Sequence, residues 1–113
     1  MSLLQGNAAE DKACEFLVEQ GLSLRCRNYR TRRGELDLVM QDGNTIVCIE
    51  VKYRKQQRFG SAIEFVTAKK LHRIRAAFEF YLLDNNLNST STPLRIDVIA
   101  IDGSNLQWLK NIG

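Results

Sequence analysis

The most constraining stretch of the chain is Gly34 to Arg54, GELDLVMQDGNTIVCIEVKYR. Two apolar runs flank the turn signal Asp42-Gly43-Asn44, which predicts a β-hairpin with strands at Leu36 to Met40 and Thr45 to Tyr53. Charges interrupt both runs. Strand side chains alternate between faces, so the register decides where Glu35, Asp37, Glu50 and Lys52 point. A two-residue turn at Gly43-Asn44 sets Asp37 opposite Glu50. A turn at Asp42-Gly43 sets Asp37 opposite Cys48 and Glu35 opposite Glu50. Either register gathers Glu35, Asp37, Val39, Ile46, Cys48, Glu50 and Lys52 on one face. The other face carries Leu36, Leu38, Met40, Val47, Ile49 and Val51, an apolar set fit for a core, unless a bulge breaks the alternation.

Two carboxylates side by side on a sheet repel, and like charges directly opposite cost up to ~1 kcal/mol. Two arrangements relieve that cost. The acids can face water on an open sheet, balanced by Lys52 and nearby arginines. Alternatively they can hold a divalent cation, since hard carboxylate oxygens suit Mg²⁺. The E-x-K step returns Lys52 to the face of Glu50, which favours the second arrangement.

Charge is unevenly spread. Residues 25 to 75 hold 13 of the 16 Lys and Arg but only 5 of the 13 Asp and Glu, so the middle of the chain is +8 and the two ends together are −5. A basic middle suits a polyanionic partner such as nucleic acid, and equally a solvated surface. The 113 residues fit one domain spanning 1–113, and a hydrophobic fraction of 44% is that of a globular chain. No apolar stretch reaches membrane-spanning length, and the start, MSLLQGNAAED, lacks the long apolar segment of a secretory signal. The expectation is a cytoplasmic protein without a membrane partner. Cys14, Cys26 and Cys48 are scattered and the lone histidine is His72, which argues against zinc and for reduced thiols.

Around the hairpin, residues 7 to 20 read as an amphipathic helix, with Asn7 as N-cap and Gly21 as terminator. Leu22 to Arg30 reads as an edge strand, followed by a basic turn. Lys55 to Phe65 reads as a loop. Thr67 is placed to cap a long helix from Ala68 to about Asp84, with an apolar stripe of Leu71, Ile74, Phe78, Tyr81 and Leu82. Leu94 to Ile101 and Leu106 to Leu109 read as two last strands. The fold class expected is α/β, a mixed sheet flanked by helices. Asp97, set among core residues, is expected to pair with a basic neighbour.

These blocks resemble a known family. Asp37, twelve intervening residues and Glu50-Val51-Lys52 resemble the D-x(n)-(D/E)-x-K core of the restriction-endonuclease-like nuclease superfamily. The match is closer to the small bacterial YraN-type family, itself similar to archaeal Holliday junction resolvases. Ala9-Glu10 with Ala13, Arg27-Asn28-Tyr29-Arg30, Gly34 to Val39, Ile49 to Arg54, Phe59-Gly60 with Glu64, Val66 and Lys70, and Arg95 to Ile99 carry the likeness in order. Ala9 stands where Gly is usual and Ile96 where Phe is common.

The resemblance implies a restriction-endonuclease-like core and an Mg²⁺- or Mn²⁺-dependent endonuclease acting on DNA, branched or Holliday-junction DNA in particular. It implies Asp37, Glu50 and the Val51 carbonyl as metal ligands, Lys52 as the amine beside the metal, and Glu10 approaching from the first helix. Without the resemblance, Glu10 reads equally well as an acid favoured by the helix dipole. By analogy with junction resolvases, the chain is expected to form a homodimer. Arg30, Arg32, Arg33, Arg54, Arg58 and Lys70 are the candidate phosphate contacts. Glu35 is expected to pair with Arg33 or Arg54. Tyr29 and Tyr53 are candidates for stacking on bases, while Phe59 suits packing better. The alternatives are a nucleic-acid-binding module on the same fold with little or no cleavage, and a scaffold whose basic surface meets an acidic partner.

Overall fold

The computed structural model describes the backbone of residues 3–54 and 66–113, and the side chains of 8–53 and 66–113. Among them, two helices pack on a five-stranded mixed sheet. Helix α1 (Leu3–Glu19) leads into β1 (Ser23–Arg30), β2 (Glu35–Asp42) and β3 (Thr45–Arg54). Helix α2 (Ala68–Asp84) then precedes β4 (Leu94–Asp102) and β5 (Asn105–Leu109). Spatial order follows chain order, β1-β2-β3-β4-β5, with every neighbouring pair antiparallel except β3 and β4. That one parallel pair requires a crossover, and α2 lies within it.

The helix ends follow local chemistry. Gly21 adopts φ 101°, and Leu22 N–H returns to the Leu17 carbonyl, closing α1. Asn7 lies inside α1, so the expected N-cap there is wrong; the helix begins earlier, at Leu3. Thr67 caps α2 by accepting the Lys70 N–H at 3.1 Å.

Both faces of the sheet are covered. Ala9, Ala13 and Leu17 of α1 pack with Leu38, Met40, Val47, Ile49, Ile99 and Ile101. Ile74, Ala77, Phe78, Tyr81 and Leu82 of α2 pack with Val39, Ile46, Cys48 and Ile96. The face that carries the charges is therefore half a core as well. The open, solvated face considered from the sequence is replaced by a helix-covered one.

The hairpin turns at Gly43-Asn44, with Asp42 paired to Thr45 and Leu38 to Ile49. Gly43 takes φ 62°, as a two-residue hairpin turn of this kind requires. One residue departs from the parity expected. Leu36 joins the α2-side cluster instead of the face of Leu38 and Met40. The cause lies in a slip of alternation. Asn28 has φ 53°, and Cys26 and Tyr29, three residues apart, both pack on the α2 side. Leu36 and Val39 repeat that three-residue step on β2. The slip falls where Asn28 and Asp37 would otherwise face each other, between the pairs Arg27–Leu38 and Tyr29–Leu36.

Beyond β4, Asp97 anchors the C-terminal residues. It is fully buried and accepts hydrogen bonds from the Arg95 guanidinium at 3.0 to 3.2 Å, Trp108 Nε1 at 2.9 Å and the Asn111 N–H at 2.8 Å. The expected basic partner is Arg95, which also reaches Asp42 at 3.2 Å.

Candidate active site

The site grows out of a fork in the sheet. β2 is paired with β3 as far as Leu38–Ile49, yet stays on β1 through Leu36 and Glu35. The hairpin register, continued one step, sets Asp37 opposite Glu50. There Asp37 Oδ2 accepts the Val51 N–H at 2.9 Å. A β2 carboxylate thus takes the hydrogen bond that the β2 backbone no longer supplies. Separation of the strands leaves room between them, and the carboxylate keeps the edge of β3 satisfied.

Asp37 and Glu50 face each other across this fork, on the α2 side of the sheet. Glu50 is 6% exposed. The Asp37 carboxyl is pushed up to about 7, first by burial, then by the Glu50 charge and with a smaller contribution from Glu10; the Val51 N–H works the other way. This is the response expected of adjacent, partly buried carboxyls that cannot both ionise freely.

Two ammonium groups adjoin the pair. Lys70 Nζ lies 2.5 Å from Glu50 Oε2, and Lys52 Nζ lies 3.9 Å from the same oxygen. Burial and the adjacent Lys70 lower the Lys52 pKa. Burial opposes the charge on Lys70 too, but its bond to Glu50 and the charges of Glu50 and Asp37 together offset that and raise its pKa. Among the described residues no arginine pairs with either acid.

From α1, Glu10 contributes a buried Oε1 that has no hydrogen-bond partner among the described residues. Among the described residues the cation paired with it is Arg27, at 3.8 Å, and Arg27 is held more closely by Asp11 at 2.7 Å. Among the described residues, no group of three or more His, Cys, Asp or Glu side chains is arranged to hold a metal. The side-chain donors at the fork are therefore the Asp37–Glu50 pair.

The fork opens into a cavity of about 410 Å³ between the β1–β2 turn and the start of α2, lined by Gly34, Glu35, Asp37, Glu50, Thr67, Lys69, Lys70, Arg73 and Ile74. Gly34 fixes one wall. A Cβ at this position would stand 2.8 Å from the Arg73 carbonyl oxygen, so only glycine lets the turn meet the helix backbone. Thr31 shapes the turn, accepting the N–H groups of Arg33 and Gly34 at 3.0 Å each.

The structure sorts the remaining sequence candidates. Arg32 and Arg33 are exposed on this turn, just before Gly34. Arg30 is exposed but paired with Glu35 at 2.9 Å, so among the described residues the partner of Glu35 is Arg30 and not the expected Arg33. Lys70 points into the fork. Tyr29 packs edge-on against Tyr81 and donates to Asp84, so it is committed to α2 and not available for stacking on bases. Tyr53 is exposed. Arg58, Phe59, Gly60 and Glu64, together with the Arg54 side chain, lie outside the described residues. Sequence reasoning missed Gly34 as a contact with α2, Arg27 as the neighbour of Glu10, and Asn28 as the slip that lets β2 leave β3. An Asn tolerant of the left-handed region, within a strand, was the available signal for the last.

Fold and site together define a small mixed α/β domain with a half-buried Asp37, a buried Glu50 and two amines at a fork between strands. The chain belongs to the family described as "Uncharacterised protein family UPF0102", which it matches over residues 9–101. It is 44% identical over 111 residues to a UPF0102 protein of Colwellia psychrerythraea, covering 95% of this chain and 86% of the relative. To UPF0102 proteins of Vibrio cholerae and Neisseria gonorrhoeae it is 47% and 43% identical over 109 residues, covering 95% and 96% of this chain and 89% and 93% of the relatives. No helix among the described residues is long and apolar enough to cross a membrane.

Proposed function

We propose that this chain is a metal-dependent endonuclease that hydrolyses phosphodiester bonds in DNA, branched or junction DNA foremost, on a restriction-endonuclease-like core. One observation carries the reading: half-buried Asp37 and buried Glu50 line the same opening where β2 and β3 part, with Lys52 alongside. A structural ion pair needs one acid and one base, and a second buried carboxyl only adds repulsion. A hydrolytic centre gives that second carboxyl a purpose.

The donors suit Mg²⁺ or Mn²⁺. Mg²⁺ is commonly held by one or two carboxylates and keeps several waters, so a pair is sufficient. Asp37, Glu50 and the Val51 carbonyl would hold it, because the N–H and C=O of one strand residue face the same edge, and the Val51 N–H faces Asp37. The unpartnered Glu10 oxygen supports a supplementary role for α1. The ion, when bound, lowers the pKa of a water and polarises the phosphate.

The chain's own groups do the rest. Lys52, its pKa lowered by burial and by Lys70, can orient the attacking water or accept its proton at Nζ, and once protonated it stabilises charge building on the phosphate. Arg32 and Arg33, with Arg73 on the cavity wall, offer phosphate contacts that give affinity without base choice. Four-way DNA presents two symmetric strands to cut, which suits a twofold dimer.

The alternative is a nucleic-acid-binding module on the same fold, favoured by the Lys70–Glu50 ion pair, which occupies an oxygen that a metal needs. A cleavage screen over duplex, single-stranded, flap and four-way DNA with Mg²⁺ or Mn²⁺ separates the two. The nuclease reading expects cutting that Lys52→Ala abolishes while binding persists. Binding without cutting on every substrate assigns the module.

A further inference from the structure

We infer that Lys70 is an internal cation that holds the metal position of the fork and must leave it when a divalent ion enters. This rests on the metal reading above.

The fork sets two carboxyls, Asp37 and Glu50, against two ammonium groups, Lys52 and Lys70, whose Nζ atoms lie 3.9 and 2.5 Å from the same Glu50 oxygen. The amines already match the acids in number. Adding a doubly charged ion a few ångströms from both would create strong repulsion in a partly desolvated site. Either the ion is excluded or one ammonium withdraws.

Geometry selects Lys70. Its Nζ sits 2.5 Å from Glu50 Oε2, the contact a metal would replace, whereas Lys52 stands back at 3.9 Å. Lys52 rises near the end of β3, where its backbone is paired with Ala100 of β4. Lys70 rises from the first turn of α2, on the wall of the open cavity, and its side chain is about a third exposed. Its backbone is fixed by the Thr67 cap, so only the flexible stem has to swing into the cavity. Withdrawn there, the ammonium lies where a phosphate bound at the fork would approach. One lysine thus stabilises the metal-free acids and, once displaced, faces the substrate.

The test is Mn²⁺ binding, read from loss of the free-ion electron paramagnetic resonance signal, in wild type, Lys70→Met and Lys69→Met. Lys69 is the exposed neighbour on the same wall and controls for general electrostatics. Lys70→Met is expected to bind Mn²⁺ about tenfold more tightly than wild type, and Lys69→Met to stay within about twofold. Its metal-free form is expected to melt below wild type and to recover with Mn²⁺. Equal or weaker binding by Lys70→Met than by wild type, or the same gain in Lys69→Met, overturns the inference and leaves the metal reading standing. Absence of binding in all three overturns both. Should Lys70→Met fail to fold, nitrogen-labelled lysine spectra of wild type decide. The Lys70 ammonium resonance is expected to move to a solvent-exposed position as Mg²⁺ saturates, and an unmoved resonance in the saturated protein overturns the inference.

Discussion

Asp37 and Val51 are joined across a parting of strands: Oδ2 of Asp37 accepts the Val51 N–H at 2.9 Å, in the place where the Leu36 carbonyl would have met it had β2 stayed on β3. The side chain therefore both wedges the fork and satisfies its edge. That dual role needs an acceptor at position 37 but not its negative charge.

A dependence on pH follows. The Asp37 carboxyl is raised to about 7, mainly by burial and next by Glu50. The folded chain therefore holds this proton more tightly than the unfolded chain, and stability falls as pH rises from about 4 to 7. Asp37→Asn removes the charge and keeps an acceptor for the Val51 N–H. It is expected to match wild type near pH 4 and to exceed it by about 1–2 kcal/mol at pH 8. Urea denaturation at the two pH values checks this; a variant advantage that shrinks as pH rises would contradict it.

Gly34 and the Arg73 carbonyl meet so closely that a methyl group has no place between them. Gly34→Ala is expected to cost about 1–3 kcal/mol and to loosen the α2 wall of the cavity. Gly43→Ala, at a turn with open space but φ 62°, is expected to cost only about 1 kcal/mol. Denaturation midpoints of the two variants should fall in that order, and only Gly34→Ala should weaken Mn²⁺ binding.

Asp97 anchors the far end of the sheet. Asp97→Ala leaves the part-buried Arg95 guanidinium with Asp42 alone and removes the buried acceptor of Trp108 Nε1 and the Asn111 N–H. A loss of about 3–5 kcal/mol is expected. The chain's single tryptophan reports it directly, through a red-shifted emission as Trp108 gains solvent.

Arg32 and Arg33 are exposed on the turn leading to Gly34. Replacing both by Ala is expected to weaken DNA binding on every substrate and to lower the salt slope of the binding constant by about 2. Stability should be unchanged. A slope identical to that of wild type would remove these arginines from the interface.

Much of this was legible in the sequence because the signals are local. Alternation placed Asp37, Glu50 and Lys52 on one face, and Gly43-Asn44 allowed the register found. Thr67 and the apolar stripe beyond it marked α2 correctly. What escaped notice is tertiary. Leu36 changed face because a left-handed Asn28 on the neighbouring strand shifted the pleat, and parity cannot register a slip in its partner. Val39, Ile46 and Cys48 shared the charged face yet proved to be core, since only the docking of α2 could bury them. Lys70 was read as facing substrate because its helix position is local, while its ion pair with Glu50 spans the β3–α2 crossover. The Glu35 partner was misplaced for the same reason: the cross-strand pairing of Arg30 with Glu35 was not anticipated.

The central claim is that the acids at the fork perform hydrolysis. Its most direct test is single-turnover cleavage of four-way and flap DNA with Mg²⁺ or Mn²⁺, by wild type and by Glu50→Gln, with binding measured on the same substrates. The account predicts metal-dependent cutting by wild type, and a loss of about 10²-fold or more in Glu50→Gln with DNA affinity kept within a few-fold. Cutting that survives Glu50→Gln undiminished, or a wild type that binds these substrates in saturating metal and cuts none, would contradict it.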